Sequence, residues 1–124
     1  MLAVAQGCEL DVQRGPDWLI VRVVSLDEES SASLGEQLWS LLDRHLTYRL
    51  VLELDGVPRL ADSLVEQLVR LERRIAEHGG TLRLCGLSPY NRNLLRAEGF
   101  DRRVLSYRDR QEAILGCRVP RQPK

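Results

Sequence analysis

YRLVLELDGVPRLADSLVEQLVRLERRIAEHGGTLRLCG, residues 48–86, carries the reading of the fold. The run Tyr48 to Leu54 mixes apolar and charged positions. Its centre, Leu50-Val51-Leu52, is continuously apolar, as in a strand covered on both faces or lying near the middle of a sheet. From about Asp62 or Ser63 the period changes to that of a helix. Leu64, Leu68, Leu71 and Ile75 fall on one stripe, and Glu66, Arg70, Arg73, Arg74 and Glu77 fall largely on the opposite face. Gly79-Gly80 closes the helix, and TLRLC, 81–85, reads as a second short strand. A strand, a helix and a strand in that order imply a right-handed crossover between parallel neighbours. The strand-to-helix loop, VPRLA, therefore leads into backbone N–H groups that the first helical turn leaves unpaired, a favourable place for an anionic group.

The flanking segments extend the alternation. CELDVQR and WLIVRVV, separated by Gly15-Pro16-Asp17, read as an antiparallel hairpin, because glycine and proline supply the backbone angles a turn needs. In SASLGEQLWSLLDRH, Leu34, Leu38, Leu41 and Leu42 share one helical face. Ser33 and Glu36 have the spacing of a capping box. GLSP turns into a helix over SPYNRNLLRAEG, with Gly99 as its C-terminal cap. VLSY reads as a last short strand, followed by a helix in RDRQEAILG. This order predicts an α/β sandwich with a mixed sheet of four to five strands and four helices, in one domain over 1–117. Residues 118–124 are expected to form a flexible tail.

Composition limits the functional classes. The chain has 124 residues, with 18 basic and 18 acidic side chains and no net charge. A balanced domain of this size has no electrostatic pull towards nucleic acid or an anionic membrane, so charge must act locally. Nearly all the cations are arginine, Lys124 being the only lysine. Cys8, Cys85 and Cys117 are odd in number and lack CxxC spacing, which indicates neither a disulfide framework nor a zinc site. They read as small buried hydrophobes in a reducing compartment, and the cytoplasm is the expected location. MLAVAQG is too short and lacks the basic start of a signal peptide, and no apolar run reaches the length of a membrane span.

Catalytic constellations are missing from the pattern. His45 and His78 lie near predicted helix ends, where an imidazole assists the last carbonyls. Gly79-Gly80 ends a helix and does not open one, which excludes a phosphate-cradling glycine loop. Trp18 is expected at an edge or hairpin and Trp39 half-buried. No cofactor is called for, and neither an enzyme nor a small-ligand carrier finds a supporting constellation. Ser63 and Asp62 are both residue types favoured at helix N-termini, so Asp62 as cap with Ser63 in the first turn is the plain structural alternative to any regulatory role.

The ordered set LELDGVPRLADSLVEQLV, HGG, TLRLCGLSP and AEGF resembles the STAS family, the anti-sigma factor antagonist fold, over nearly everything from Cys8 to Leu115. That family typically reads LDLSGVxxIDSSGLxxLL, a helix ending in GG, a strand, an N-L-S-P turn and a helix ending in TGL. The resemblance implies a binding module without catalytic machinery. Simple members antagonise a serine-kinase anti-sigma factor, a histidine-kinase-like ATPase. They are switched off by phosphorylation of the serine before the glycine of DSSG, and a PP2C-type phosphatase restores them. Carried onto this chain without a gap from Gly56, the phosphorylated position is Ser63. The candidate partner-binding set is then Asp27, Arg59, Leu60, Asp62, Ser63 and Leu64, with Leu26-Asp27 matching the family's L-D element beside the loop. From the residues alone, Arg59 reads as an exposed loop arginine or a partner contact, and Leu60 as tucked into the core or, if displayed, as an anchor for a partner groove.

The departures are specific. Ala61 stands where the family has aspartate, Asp62 where it has the first serine, and Leu64 where it has glycine. A register one residue later would put Leu64 on the phosphorylated position and leave the module without a switch there. The resemblance therefore also accommodates a second role, a STAS-like scaffold or signalling-complex subunit that is never phosphorylated. A weak homodimer through the sheet edge or a helix face is compatible with either.

Overall fold

The computed structural model describes residues 2–5, 8–26 and 33–116. They form one six-stranded sheet with the strands in sequence order across it: β1 (Leu2–Ala5), β2 (Cys8–Arg14), β3 (Leu19–Leu26), β4 (Arg49–Glu53), β5 (Thr81–Cys85) and β6 (Leu105–Tyr107). The first two pairings are antiparallel and the last three parallel. The expected mixed sheet is present. Its extra member is β1, paired along β2, which precedes the hairpin from which the strand pattern is read.

Four α-helices connect or flank the strands among the described residues: α1 (Leu34–His45), α2 (Asp62–Glu77), α3 (Pro89–Ala97) and α4 (Arg110–Leu115). A 3-10 turn spans Phe100–Arg102. The hairpin closes where the Gly15 N–H donates to the Trp18 carbonyl at 2.8 Å.

The LVL run explains the layering. Leu50 and Leu52 point into the main core, whereas Val51 points to the other face, among Trp18, Ile20, Cys85 and Ala113. All three are fully buried, because β4 lies between two layers as well as between two strands. The main core takes Leu34, Leu38, Leu41 and Leu42 from α1 and Leu64, Leu68, Leu71 and Ile75 from α2, which are the predicted stripes.

Gly35 has a packing reason to sit in α1. Its N–H donates to Gln67 Oε1 on α2 at 2.8 Å, and an added Cβ would lie 3.3 Å from Gln67 Cβ.

Two local expectations are corrected and a third holds. Ser33 does not form the capping box; its Oγ accepts from Gln37 Nε2 at 2.9 Å, a partner one helical turn along. Trp18 sits in the hairpin, one of the two places expected, but it is buried there and not displayed at an edge, because the guanidinium groups of Arg49 and Arg83 lie 4.2 and 4.6 Å from its ring. Cation–π contact on the indole lets two charged side chains cover a tryptophan that no helix covers alone. Trp39 is half-buried as expected, beside Tyr48 and His78.

Candidate functional site

The loop after β4 lies at the carboxyl ends of the parallel strands, where open α/β sheets place their binding crevices. It begins under restraint. The Leu54 N–H donates to the Cys85 carbonyl at 3.0 Å, and the Val57 N–H donates back to the Leu54 carbonyl at 3.0 Å. Gly56 within that turn presses on β3, where an added Cβ would stand 2.4 Å from the Val23 carbonyl oxygen. Only glycine lets the chain lie there.

Asp55 faces outward and receives two hydrogen bonds from Arg22, Nε to Oδ1 at 3.0 Å and Nη2 to Oδ2 at 3.2 Å. Hydrogen bonding to Asp55, and then its charge, raises the Arg22 guanidinium above its ordinary pKa. Both partners remain substantially exposed, so the pair fixes geometry more than it adds stability.

Past this turn the loop is held from inside. Val57 and Leu60 are buried, and between them Asn91, fully buried on α3, spans the loop backbone. The Leu60 N–H donates to Asn91 Oδ1 at 2.9 Å, and Asn91 Nδ2 donates to the Val57 carbonyl at 2.8 Å. Ser88, the cap of α3, accepts from the Asn91 N–H at 3.1 Å and so anchors the clamp itself. Pro58 and Arg59 stay outside. The Arg59 guanidinium lies 5.0 Å from the ring centre of Tyr90, an aromatic that is 52% exposed.

The helix then starts without a side-chain cap. Its cap residue is Ala61, in extended backbone, and the N–H groups of Leu64 and Val65 both donate to the Ala61 carbonyl. Asp62 is therefore the first helical residue, not the cap, and contributes a negative charge to the first turn. Ser63 follows, exposed, and among the described residues its hydroxyl has no hydrogen-bond partner.

Of the partner-contact residues expected from the sequence, Arg59, Asp62 and Ser63 share this exposed surface. Leu60 and Leu64 do not. They are 4% and 1% exposed, so their side chains belong to the core and offer no anchor to another protein. The helical stripe explains Leu64, and the Asn91 clamp explains Leu60. Asp27 lies outside the described residues, as does the expected tail, 118–124.

Sequence reading missed Arg22, Tyr90 and Asn91. A signal existed for Asn91, which stands in helical phase with Leu94 and Leu95 and so falls on the inward face.

The other chemistry is sparse. Among the described residues no three or more histidine, cysteine or acidic side chains are grouped to hold a metal ion, and no helix is long and apolar enough to cross a membrane. His78 does assist a helix end, with Nδ1 2.9 Å from the Arg74 carbonyl oxygen. His45 differs. Its Nε2 is buried with no hydrogen-bond partner among the described residues. Burial pushes the Cys85 thiol up to about 12, with the Glu53 charge adding to the effect. That thiol is not a nucleophile at neutral pH.

An exposed hydroxyl at the second residue of a helix is well suited to carry a phosphate. Two N–H groups of the first turn, those of Asp62 and Ser63, have no backbone acceptor among the described residues, and the helix dipole favours a negative group there by about 0.3–1 kcal/mol. Asp62 opposes it electrostatically. The folded domain would tolerate the modification, whereas a protein surface sealed over this loop would have to bury a dianion.

Comparison with known proteins places this geometry. The model of the STAS domain matches residues 9–113. No curated protein sequence matches the chain. An anti-sigma-factor antagonist (STAS) domain protein from Planctomyces limnophilus is 24% identical, with a TM-score of 0.74 over 86% of this chain and 96% of that one. An anti-sigma factor antagonist from Mycobacterium paratuberculosis is 17% identical, with a TM-score of 0.75 over 95% and 100%. The phosphorylated form of the Bacillus cell fate determinant SpoIIAA is 14% identical, with a TM-score of 0.66 over 86% and 97%. At these identities the likeness is one of fold.

Proposed function

The chain belongs to the STAS domain family, and on that premise we propose that it is an anti-sigma factor antagonist, a non-catalytic cytoplasmic module that switches partners in transcription control. In this reading its surface at Arg59, Asp62 and Ser63 docks on a serine-kinase anti-sigma factor of the histidine-kinase-like ATPase type. Phosphorylation of Ser63 by that kinase ends the contact, and a PP2C-type phosphatase renews it. The observation that carries the proposal is the exposed Ser63 hydroxyl, without a hydrogen-bond partner among the described residues, in the first turn of a helix whose preceding loop is held by Asn91.

The energetic logic is local. A phosphoserine adds about 1.5 to 2 negative charges and three acceptor oxygens. Burying it at an interface costs several kcal/mol, against the roughly 1.4 kcal/mol that makes a tenfold loss of affinity. Folding is spared because the hydroxyl points to solvent in the free protein. SpoIIAA, a structural relative, was captured in a phosphorylated form, which supports a modifiable residue on this fold.

The test is intact mass after incubation with the kinase partner and ATP. Wild type should gain one phosphate and Ser63→Ala none, while Ser63→Ala still binds the kinase and Ser63→Asp binds at least about tenfold more weakly. Equal labelling of wild type and Ser63→Ala would remove Ser63 from the switch.

A second reading, a scaffold or signalling-complex subunit that is never phosphorylated, is favoured by one observation: Leu64, in the place of the family glycine, is committed to the core. It predicts stable partner binding with no change of mass.

A further inference from the structure

At the edge of the sheet away from β1, α3, the 3-10 turn, β6 and α4 surround a cleft of ≈ 580 Å³. That volume lies within the range typical of small-molecule sites. It is separate from the surface formed by Arg59, Asp62 and Ser63, none of which lines it. Its floor is apolar, built from Leu87, Leu95, Phe100 and Val104, all of them buried residues.

The polar lining is asymmetric in charge. Arg92 and Arg96 stand one helical turn apart on α3, both line the cleft, and among the described residues neither side chain has a hydrogen-bond or ion-pair partner. On the opposite wall Glu112 is only 1% exposed, and its carboxylate accepts hydrogen bonds from the Arg108 backbone N–H and guanidinium. That acid is already neutralised by its neighbour. A cationic ligand would meet one uncommitted carboxylate at the cleft, Asp101, whereas an anionic ligand would meet two uncommitted guanidinium groups.

We propose that this cleft binds a small amphipathic monoanion, an aliphatic body on the leucine and phenylalanine floor ending in a carboxylate held by Arg92 and Arg96. Guanidinium groups match carboxylates in shape and charge, and hydrogen bonds between ions are about twice as strong as neutral ones. Asp101 at the same cleft opposes a second negative charge, which favours a carboxylate over a phosphomonoester dianion. The apolar floor requires a ligand with hydrocarbon to bury, so a free inorganic anion would gain nothing from most of the surface it touches.

The experiment titrates the isotopically labelled full chain with octanoate, octan-1-ol and octylammonium, following backbone amide resonances. Octanoate should give saturable shifts confined to α3, the 3-10 turn, β6 and α4, with affinity at least about tenfold above either comparator. In the Arg92→Gln/Arg96→Gln double variant, octanoate binding should weaken by at least about tenfold while binding of the alcohol and the thermal midpoint stay at wild-type levels. Absence of a saturable octanoate shift, equal affinity for the three probes, or undiminished octanoate binding by the double variant would each overturn the assignment. The comparison among probes uses wild type alone and does not depend on the variant.

Discussion

Asn91 and Leu60 are joined by a buried hydrogen bond across 31 residues of sequence, the Leu60 N–H donating to the carboxamide oxygen at 2.9 Å. With its other half, Asn91 Nδ2 to the Val57 carbonyl, the bond makes one side chain the support for the loop that carries Arg59 and leads into Asp62 and Ser63. On the partner-switching reading, a loop this constrained would meet its partner with little ordering left to do, which lowers the entropic cost of association.

Asn91→Ala should therefore act on folding and, on the partner-switching reading, on docking as well. It leaves a buried N–H and a buried carbonyl unpaired, at about 1–3 kcal/mol for each. The Leu60 amide should exchange with solvent faster than in wild type, well beyond any change in α1. Asn91→Asp keeps an acceptor for Leu60, but when ionised it places a carboxylate in the core and loses the donor to Val57. Burial there raises its pKa above the unfolded value of about 3.9, so this variant should be most stable in acid and lose stability as pH rises through the folded pKa. A urea midpoint that does not move with pH would contradict the clamp.

Ala61 offers the opposite case, an unfilled opportunity. It caps α2 in extended backbone with no side-chain oxygen to offer the first-turn N–H groups, and it is exposed. Ala61→Ser or Ala61→Asp should stabilise the domain by about 0.5–2 kcal/mol, read as a higher urea midpoint at unchanged slope. The aspartate variant also adds negative charge beside Ser63. On the partner-switching reading it should slow phosphorylation more than the serine variant does.

The alternation of strands and helices is legible because each element carries its own periodicity. Leu64, Leu68, Leu71 and Ile75 announce the inward face of α2 without knowledge of anything else. The site is legible only in part. The position of Ser63 follows from where the strand period stops and the helix period starts, but Leu60 and Arg59 are adjacent residues with opposite fates. Residue type alone favours that sorting, but the hydrogen bonds that hold it come from Asn91, more than thirty residues away, and no local pattern encodes them. Trp18 is a similar case: its cover comes from Arg49 and Arg83 on two later strands. The cleft beside β6 is invisible in sequence because four short elements build it, each contributing a few residues.

The paired glycines after α2 should respond unequally to the same substitution. Gly79 has φ +72° and open space around the missing side chain, so Gly79→Ala costs about the 1–2 kcal/mol of a left-handed alanine. At Gly80 an added Cβ would fall 1.9 Å from the Tyr48 carbonyl oxygen, the same oxygen that accepts from the Thr81 N–H at 3.0 Å. Gly80→Ala must displace β5 from the start of β4, and its loss should exceed about 3 kcal/mol. Thermal melts of the two variants side by side decide it; equal midpoints would contradict the close approach.

Cys85 links folding to alkaline pH. It is fully buried between the sheet and α4, where burial first and the Glu53 charge second hold the thiol protonated up to about 12, with Arg110 offsetting part of the effect. In the unfolded chain the same thiol ionises near its ordinary value of 9.0. The folded state therefore holds the proton more tightly. This contribution to stability is fully present below pH 9.0 and is lost as pH rises from there towards about 12. Other groups titrate in the same window, so the informative quantity is the difference between wild type and Cys85→Ala. The variant should lose less stability between neutral pH and pH 10 than wild type does. At neutral pH the native thiol should resist alkylation until urea unfolds the domain, because the thiolate is the reacting species and neither charge nor access is available to it. Rapid modification of Cys85 in the folded protein would mean that α4 opens away from the sheet far more readily than its packing on Val51 and Trp18 implies.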